Sequence, residues 1–445
     1  MKNILRVGLA GFVTLLALAV LRAPQTIAAP ADVTFTVDTS ADLIDADTTN
    51  GTCLPGSCSL RAAIMQANVL QGPGVTIIVP SGTYTLTRPQ AGANGADNGD
   101  LNLLAPPSGS NTIITISGAG AGTTRVNANK IDRVLSVEAL RTAVISGVTL
   151  SNGYRVINSG SVIPKSGGGV YNDGNLTIID SVIEGSESNG RGGGIFTLGT
   201  LDLRRSTLRS NIASGGGGLY VQEGTAVIRD STLSGNHADD GGGILINTSS
   251  ETQALIVVNS TISGNYADTN GGGIYNAATT FVYNTSVIDN DADHDHDELG
   301  GIGGGVLAYP GSRFVVVNTL IARNTAISGV NDNDCDGTLE LYGWNLLGTL
   351  DDGCSFTGNG ISARGLVSLN SIGPLHDNGG PTQTNALLAG SEAIDSTYPL
   401  GCTNETDAPL TTDQRGAARG VGTACDIGAF EYIPLRHLYL PSITR

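Results

Sequence analysis

Aliphatic and polar residues recur at fixed offsets through the middle of the chain. The phrase NSTISGNYADTNGGGIYN (residues 259–276) follows the similar DSTLSGNHADDGGGILI (residues 230–246), and the copies recur every 24 to 32 residues or so. Three consecutive glycines begin at Gly167, Gly192, Gly216, Gly241, Gly271 and Gly303. A polar residue before a Ser or Thr aligns the copies at Asp180, Arg205, Asp230, Asn259, Asn284 and Asn318. The residues two before and three after it are aliphatic in every copy, which predicts short strands.

Each copy is expected to hold three short apolar strands separated by turns. Leu201-Asp202-Leu203-Arg204 shows the alternation of a strand with one buried face. A single copy cannot bury that face, but stacked copies can, because each strand pairs in parallel with its counterpart about 4.8 Å along the axis. The sequence therefore predicts an all-β solenoid, a parallel β-helix, which the preference of parallel crossovers makes right-handed.

Glycine and asparagine have separate roles in this prediction. Glycine permits positive φ and close approach of two backbones where a coil turns sharply. Six positions after the aligned polar residue stand Ser186, Asn211, Asn236, Asn265, Asn290 and Asn324. We expect these side chains to form a hydrogen-bonded ladder between coils. The alternative role for the glycines is a phosphate-binding loop, but no copy of the repeat has the Gly-Lys-Ser/Thr ending that such loops carry.

The repeat also sets the domain organisation. Less regular coils upstream bring the total to nine or ten, a rod of about 45 Å. In the cap before them, residues 58–68 predict an amphipathic helix with Ser59 as its N-cap, which would cover the open end of the solenoid. The expected parts are a signal peptide (1–28), an N-terminal cap (32–74), the β-helix coils (75–330), a C-terminal end (331–432) and a tail (433–445).

The N-terminus has the layout of a secretory signal peptide. Lys2 and Arg6 precede an apolar stretch, residues 7–21, and a small-residue segment in which we expect cleavage after Ala28 or Ala31. The alternative is an uncleaved membrane anchor, for which the apolar run is short. The sequence therefore predicts a secreted or cell-surface protein.

Composition and charge narrow the possible partners. The 63 glycines and the low content of charged (14%) and aromatic (4%) residues suit turn-dense β structure. A net charge of −17 makes nucleic acid a poor partner, because nucleic acid is bound through Lys and Arg. Calcium or an uncharged glycan fits this surface better. Six cysteines in an exported chain favour disulfides, and their spacing suggests three local pairs: Cys53–Cys58, Cys335–Cys354 and Cys402–Cys425.

Both ends of the chain resemble bacterial secreted proteins. CSLRAAIMQAN (residues 58–68) resembles the motif of CSLREAI-domain proteins, which precedes right-handed parallel β-helix repeats; Ala62 replaces the family's Glu, so the helix cap should be weaker by about 0.5–1 kcal/mol. Residues 372–395, with TDQRGAARG (412–420) and CDIGAFEY (425–432), are similar to the segment called a choice-of-anchor Q domain. The GGG-[IV]-Y repeats are similar to those of polymorphic outer-membrane proteins. These resemblances imply a β-helix and a surface or secreted destination, without a defined reaction.

Acidic residues are the first candidates for chemistry. A polysaccharide lyase would need an acidic calcium cluster beside an Arg or Lys base, and a hydrolase would need a pair of carboxylates. The sequence carries none of the Gly-His-Gly, Arg-x-Lys or Arg-x-Pro-x-x-Arg signatures of such enzymes, and no residue is assigned a catalytic role. The candidate calcium ligands are Asp239, Asp268, Asp291, Asp293, Asp295 and Asp297. The alternatives are a solvated acidic loop and a transition-metal site at His294 and His296.

Aromatic residues are the second candidates. Tyr171, Phe196, Tyr220 and Tyr275 follow the aliphatic residue at the same place in their copies. If the aliphatic residue points inward, the rings face outward and form an exposed stripe on which sugar rings stack. In the opposite register the rings fill the core. We expect the outward register and therefore a ligand-binding stripe.

The interpretation is a secreted or cell-surface, non-catalytic β-helix protein that acts in adhesion, envelope display or glycan binding. The alternative is a lyase or glycoside hydrolase of the β-helix type that uses acidic residues on the coil turns, and a third reading is a mere spacer. Expected partners are an extracellular polysaccharide or a cell-surface component, with Ca²⁺ as the candidate cofactor. Neither a nucleic-acid partner nor a transmembrane domain is expected in the mature chain.

Overall fold

The structure is a computed structural model of the chain. It describes residues 32–53, 56–72, 74–90, 95–108, 110–156, 166–248, 255–295, 301–326, 334–348, 353–364, 371–397 and 401–434. The predicted signal peptide and the tail beyond residue 434 lie outside these ranges and stay predictions. Within the described ranges, no helix has the length and apolar character needed to cross a membrane.

One coil consists of four short strands on four sides of a common core. In one representative coil these strands are Ile195–Thr197, Thr200–Arg204, Thr207–Arg209 and Ile212–Gly215. Each strand pairs in parallel with its counterpart in the next coil. Stacking buries one continuous core, in which aligned aliphatic residues such as Leu203, Ile228 and Val257 are fully enclosed. The predicted parallel β-helix is confirmed.

Four parallel ladders run along the axis. The main ladder contains Val33–Thr36, Gly74–Val79, Ile113–Gly118, Thr142–Ser146, Asn175–Ile179, Thr200–Arg204, Thr225–Arg229, Leu255–Val258, Thr279–Tyr283, Arg313–Val317, Cys335–Tyr342 and Cys354–Gly358. The glycine-side ladder contains Leu101–Leu103, Leu135–Val137, Val170–Asn172, Ile195–Thr197, Leu219–Val221, Ile244–Ile246, Ile274–Asn276 and Val306–Ala308, and it joins the main ladder at Cys335–Tyr342.

The other two ladders complete the coil. The second sheet contains Gly82–Thr85, Thr124–Asn127, Thr149–Ser151, Val182–Glu184, Thr207–Arg209, Thr232–Ser234, Thr261–Ser263, Ser286–Ile288, Leu320–Ala322, Trp344–Leu347 and Ile361–Arg364. The flank sheet contains Tyr154–Arg155, Glu187–Ser188, Ile212–Gly215, His237–Asp240, Tyr266–Asn270, Asp291–Ala292 and Thr325–Ala326. An antiparallel hairpin, Ile372–His376 with Thr384–Leu387, lies outside the ladders.

Two details of the sequence prediction were wrong. The seven coils that begin between Thr142–Ser146 and Arg313–Val317 have a fourth strand, in the flank sheet, beyond the three predicted. The pattern did not show it because in three of these strands the buried residue is an alanine (Ala213, Ala238, Ala267) and not a large aliphatic residue. The main ladder in the described ranges has twelve strands, more than the nine or ten predicted. The additional strands include Val33–Thr36, which lies within the predicted cap. Twelve strands correspond to a rod of about 53 Å.

The asparagine ladder is confirmed. Asn236 Oδ1 accepts hydrogen bonds from Asn211 N (3.1 Å) and Nδ2 (3.0 Å), and Asn236 Nδ2 donates to Asn265 Oδ1 at 2.8 Å. The same pattern continues through Asn290 and Asn324, where Asp334 Oδ1 accepts the last bonds. Each asparagine thereby satisfies a turn amide of the preceding coil in the dry interior.

The N-terminal cap is the predicted helix, Leu60–Val69. Ser59 Oγ accepts from Ala62 N at 3.1 Å, so Ser59 is the N-cap as expected. The Ser59 N–H, which a Glu at position 62 would have bonded, donates instead to Ser57 O at 2.9 Å. Ala63, Ile64 and Ala67 of the helix are fully buried against the first coils and close the end of the core.

The C-terminal region lies along the outside of the second sheet. Gln414 Nε2 donates to Ser231 O at 3.1 Å, and Thr261 Oγ1 donates to Gln414 Oε1 at 2.6 Å. Arg419 Nη2 donates to Asn259 Oδ1 at 2.6 Å. Residues of two successive coils thus hold this region against the rod.

The three disulfides have the pairing that the spacing suggested: Cys53–Cys58, Cys335–Cys354 and Cys402–Cys425.

Candidate functional site: a groove beside an aromatic column

Four of the aligned aromatic and leucine residues form a column along the outside of the glycine-side ladder. The Tyr171 and Phe196 ring centroids lie 6.0 Å apart with planes 11° apart, and those of Phe196 and Tyr220 lie 5.5 Å apart. Leu245 takes the next place, and Tyr275 packs partly buried against this cluster. The cluster is separate from the main core, which holds the preceding aliphatic residues. The outward register was therefore the right expectation.

The expectation of an exposed stripe was wrong for three of the four rings. Tyr171, Phe196 and Tyr220 are each only 2% exposed. The reason is the glycine turn, which folds the chain back against the ring: a Cβ on Gly216 would lie 2.9 Å from Tyr220 Cβ. The guanidinium of Arg191 covers part of the remaining face, with its Cζ 5.1 Å from the Tyr220 centroid. Burial also raises the pKa of the Tyr220 hydroxyl.

A groove of about 340 Å³ opens at the end of the column where the rings become accessible, and we call it the flank groove. Its floor is apolar, with Tyr220, Leu245 and the partly exposed Tyr275. Tyr275 continues onto Tyr309, whose ring centroid lies 6.1 Å away and which is 51% exposed. The groove is lined by Gly190, Arg191, Ser214, Gly215, Tyr220, Asp240, Leu245, Asn247 and Tyr275.

Charged groups stand on both sides of the floor. Arg191 Nη1 donates to Gln222 Oε1 at 3.1 Å, which steadies the guanidinium over Tyr220. Asp240 Oδ1 accepts from Asn270 Nδ2 at 3.0 Å on the opposite side. The groove thus offers hydrogen-bond donors and acceptors around an aromatic surface, and the charges of Arg191 and Asp240 cancel.

Sequence reasoning did not find Arg191, Gly215 and Asp240, although the alignment contained a signal for them. They stand directly before the glycine triplet in successive coils, and parallel pairing places them side by side in the order Arg191, Gly215, Asp240. Gly215 leaves the space of the groove empty between the two charged residues. Its Cβ would lie 3.5 Å from Tyr220 Cε2, so a larger side chain there would fill the groove.

The predicted calcium ligands do not converge in the described residues. Burial and the neighbouring Asp268 carboxylate raise the pKa of Asp239. Asp268 Oδ1 lies 2.8 Å from His237 Nε2, and Asp291 Oδ2 lies 3.0 Å from His294 Nδ1. Asp293 is only 3% exposed, Asp295 is exposed, and Asp297 and His296 lie outside the described ranges. No three His, Cys, Asp or Glu side chains of the described part approach closely enough to hold a metal ion, and calcium binding stays a prediction.

Comparison with known proteins identifies the fold. The model of the family described as "Right handed beta helix region" matches residues 193–372. No curated protein matches the chain. Among solved structures, the crystal structure of pectate lyase Pel9A aligns over 90% of this chain and 97% of its own, with 16% identity and a TM-score of 0.49. The protein is therefore a right-handed parallel β-helix, as the four parallel ladders around one core and the family match together show.

Proposed function

We propose that this protein is an exported, non-catalytic β-helix that binds a neutral extracellular glycan in the flank groove. The observation that carries the proposal is the combination of the partly exposed Tyr275 ring with Arg191 and Asp240 in the lining of one groove. A pyranose ring has an apolar C–H face and a rim of hydroxyl groups. Such a ring can lie on an aromatic face while a guanidinium and a carboxylate bind its hydroxyls.

A neutral glycan suits the charge of the site and of the chain. One arginine and one aspartate flank the groove, and the chain carries a net charge of −17 that repels anionic polymers. The volume of about 340 Å³ falls within the usual range of about 300–1,000 Å³ for ligand pockets. Adhesion or envelope display are the roles that such binding would serve.

A glycan array probed with and without calcium tests the proposal. We expect binding to neutral glycans, and Gly215→Leu should abolish it by filling the groove without removing any lining side chain. Tyr275→Ala should weaken binding about three- to tenfold, since an aromatic contact is worth about 0.5–1.5 kcal/mol. Arg209→Ala is the matched control, because Arg209 is exposed on the second sheet and pairs with Glu184.

Two outcomes would contradict the proposal. Undiminished binding by Gly215→Leu would place the ligand outside the flank groove. Release of unsaturated or reducing sugars from a bound polysaccharide would support the lyase or hydrolase alternative. Export is tested separately: N-terminal sequencing of protein from the medium or envelope should give Ala29 or Asp32 as the first residue, as the signal-peptide prediction requires.

A further inference from the structure

A second groove lies on another side of the rod, between the outer face of the main ladder and the C-terminal region. We call residues 401–409 the arm and this cavity the arm groove. Its volume is about 460 Å³. The groove has an aromatic floor on the main ladder and a polar wall on the arm, and its principal lining residues are Phe281, Tyr283, Arg313, Tyr342, Thr403 and Asp407.

The floor arises from a change in the outward positions of the main ladder. The same outward position is Thr177 and Asp202 in upstream coils, and it becomes Ile256, Phe281 and Val315 further along. Val315 is buried at 2% exposure, but Phe281 and Tyr283 remain partly exposed. Their rings are nearly parallel, with planes 5° apart and centroids 6.4 Å apart. The result is a pair of stacked, partly exposed aromatic rings in the cavity that the arm also lines.

The arm is fixed to the rod, so the groove exists before any ligand binds. Asn284 Nδ2 donates to Thr403 O at 2.6 Å, and Asn318 Nδ2 donates to Gly401 O at 2.9 Å. Glu405 forms an ion pair with Arg229 of the main ladder. Cys402 of the arm is bonded to Cys425. A preformed wall lowers the ordering cost that binding would otherwise carry.

Polar groups at the rim restrict the class of ligand. Arg313 Nε lies 2.7 Å from Glu340 Oε2, and Tyr342 Oη donates to Glu340 Oε1 at 2.5 Å. The paired guanidinium leaves little attraction for an anion, and Asp407 adds a negative charge. Arg313 Cζ already lies 5.1 Å from the Phe281 centroid, so that ring face is occupied by a cation. The groove therefore offers polar groups that can bind hydroxyls around an aromatic floor, which indicates an uncharged, hydroxyl-rich ligand.

We propose that the arm groove is a second binding site for a neutral sugar ring, with Tyr283 and Tyr342 as its stacking surface and the arm as its second wall. This site lies on the main ladder and does not depend on the flank groove. The C-terminal region would then act as part of a binding site as well as a cover of the second sheet.

The sequence provides a local reporter for this site. Trp344 is the only tryptophan of the chain, and it follows the groove-lining Gly343. Its backbone N–H donates to Oδ1 of the lining residue Asn318 at 2.9 Å. The protein is titrated with cellohexaose, xylohexaose and mannohexaose, and separately with oligogalacturonate and choline. We expect a saturable change in Trp344 emission with a neutral oligosaccharide. No saturable response to the neutral sugars, or one only to the acidic or cationic probe, overturns the proposal.

Variants assign the response to the groove. Tyr283→Ala should weaken the affinity about three- to tenfold. Thr177→Ala, at the outward position that Phe281 occupies four coils later, is the matched control and should bind as the parent does. Equal affinity in both variants refutes the assignment of Tyr283.

The arm is tested by removing its disulfide. A Cys402→Ser/Cys425→Ser variant removes the covalent link between the arm and residue 425 and leaves only the contacts with Asn284, Asn318 and Arg229 to hold the arm. Its affinity should be lower than that of the parent while its β-type circular dichroism is retained. The Cys53→Ser/Cys58→Ser variant, altered in the N-terminal cap, controls for the loss of a disulfide as such. Unchanged affinity after release of the arm disulfide would refute the role of the arm.

Discussion

Asn236 gives the most direct test of what holds the coils in register. It is fully buried, and its side chain makes four hydrogen bonds. Two are accepted from Asn211, one is donated to Leu208 O at 3.0 Å, and one is donated to Asn265 Oδ1. Asn236→Leu keeps the approximate size of the side chain and removes all four. The amide and side-chain N–H groups of Asn211 then lose their acceptor in the dry interior.

The expected cost follows from those unpaired groups. A buried donor without a partner costs about 1–3 kcal/mol, so the two donors of Asn211 predict a loss of about 2–6 kcal/mol. Urea unfolding followed by circular dichroism measures it, with Asn175→Leu as control, because Asn175 is exposed at the start of its strand. If the two variants unfold at the same urea concentration, the ladder is not a source of stability and the reasoning fails.

Three further predictions concern stability. Gly217→Ala should lower the free energy of unfolding by about 3 kcal/mol or more, because the added Cβ would lie 2.4 Å from His237 O. Gly264→Ala should lower it by only about 1 kcal/mol, because Gly264 has a positive φ but open space around it. Thermal unfolding distinguishes the two variants. If calcium binds, the melting temperature should be higher in calcium than in chelator, and equal values would count against a site. Burial, with the Glu431 and Asp395 carboxylates nearby, raises the pKa of Asp426 from 3.8 to about 7. The native carboxyl then holds its proton more tightly than the unfolded one, so stability should fall as pH rises from about 4 to about 7, and Asp426→Asn should flatten this dependence in urea midpoints.

The sequence predicted those features that repeat with a fixed offset. The aliphatic positions, the asparagine ladder and the glycine turns all recur once per coil, and parallel pairing turns a recurrence in sequence into a contact in space. Gly192, Gly216 and Gly241, for example, adopt positive φ at the predicted turn. The helix at residues 60–69 was found by a different signal, its amphipathic face and its serine cap.

Features that depend on contacts between different parts of the chain were not predicted. Periodicity showed that Tyr220 points away from the core but not that the glycine turn and Arg191 would cover it. The fourth strand was missed because Ala238 buries little surface, although the strand is held by its backbone pairing. The arm groove was missed because its two walls, near residues 281 and 403, are more than a hundred residues apart in sequence.

The second sheet nevertheless carried a readable signal of what covers it. One outward position of its strands is charged in early coils, at the partly exposed Glu184 and the exposed Arg209, and becomes apolar and buried later, at Ile288 and Ala322. That change marks where the C-terminal region packs, because an apolar residue facing outward needs a cover. Ile427 and Phe430 supply it.

The same contacts explain why the terminal resemblance carries no information about a ligand. Asp413 accepts hydrogen bonds from the N–H groups of Arg415, Ala417 and Glu431, and Glu431 accepts from those of Gly420, Val421 and Asp426. Within TDQRGAARG and CDIGAFEY, these carboxylates are therefore committed to shaping turns that dock on the rod. Groove residues such as Arg191, Tyr275 and Tyr283 lie outside both motifs. A protein could keep the motifs and change its ligand, so the proposed glycan specificity rests on the grooves and not on the terminal motifs.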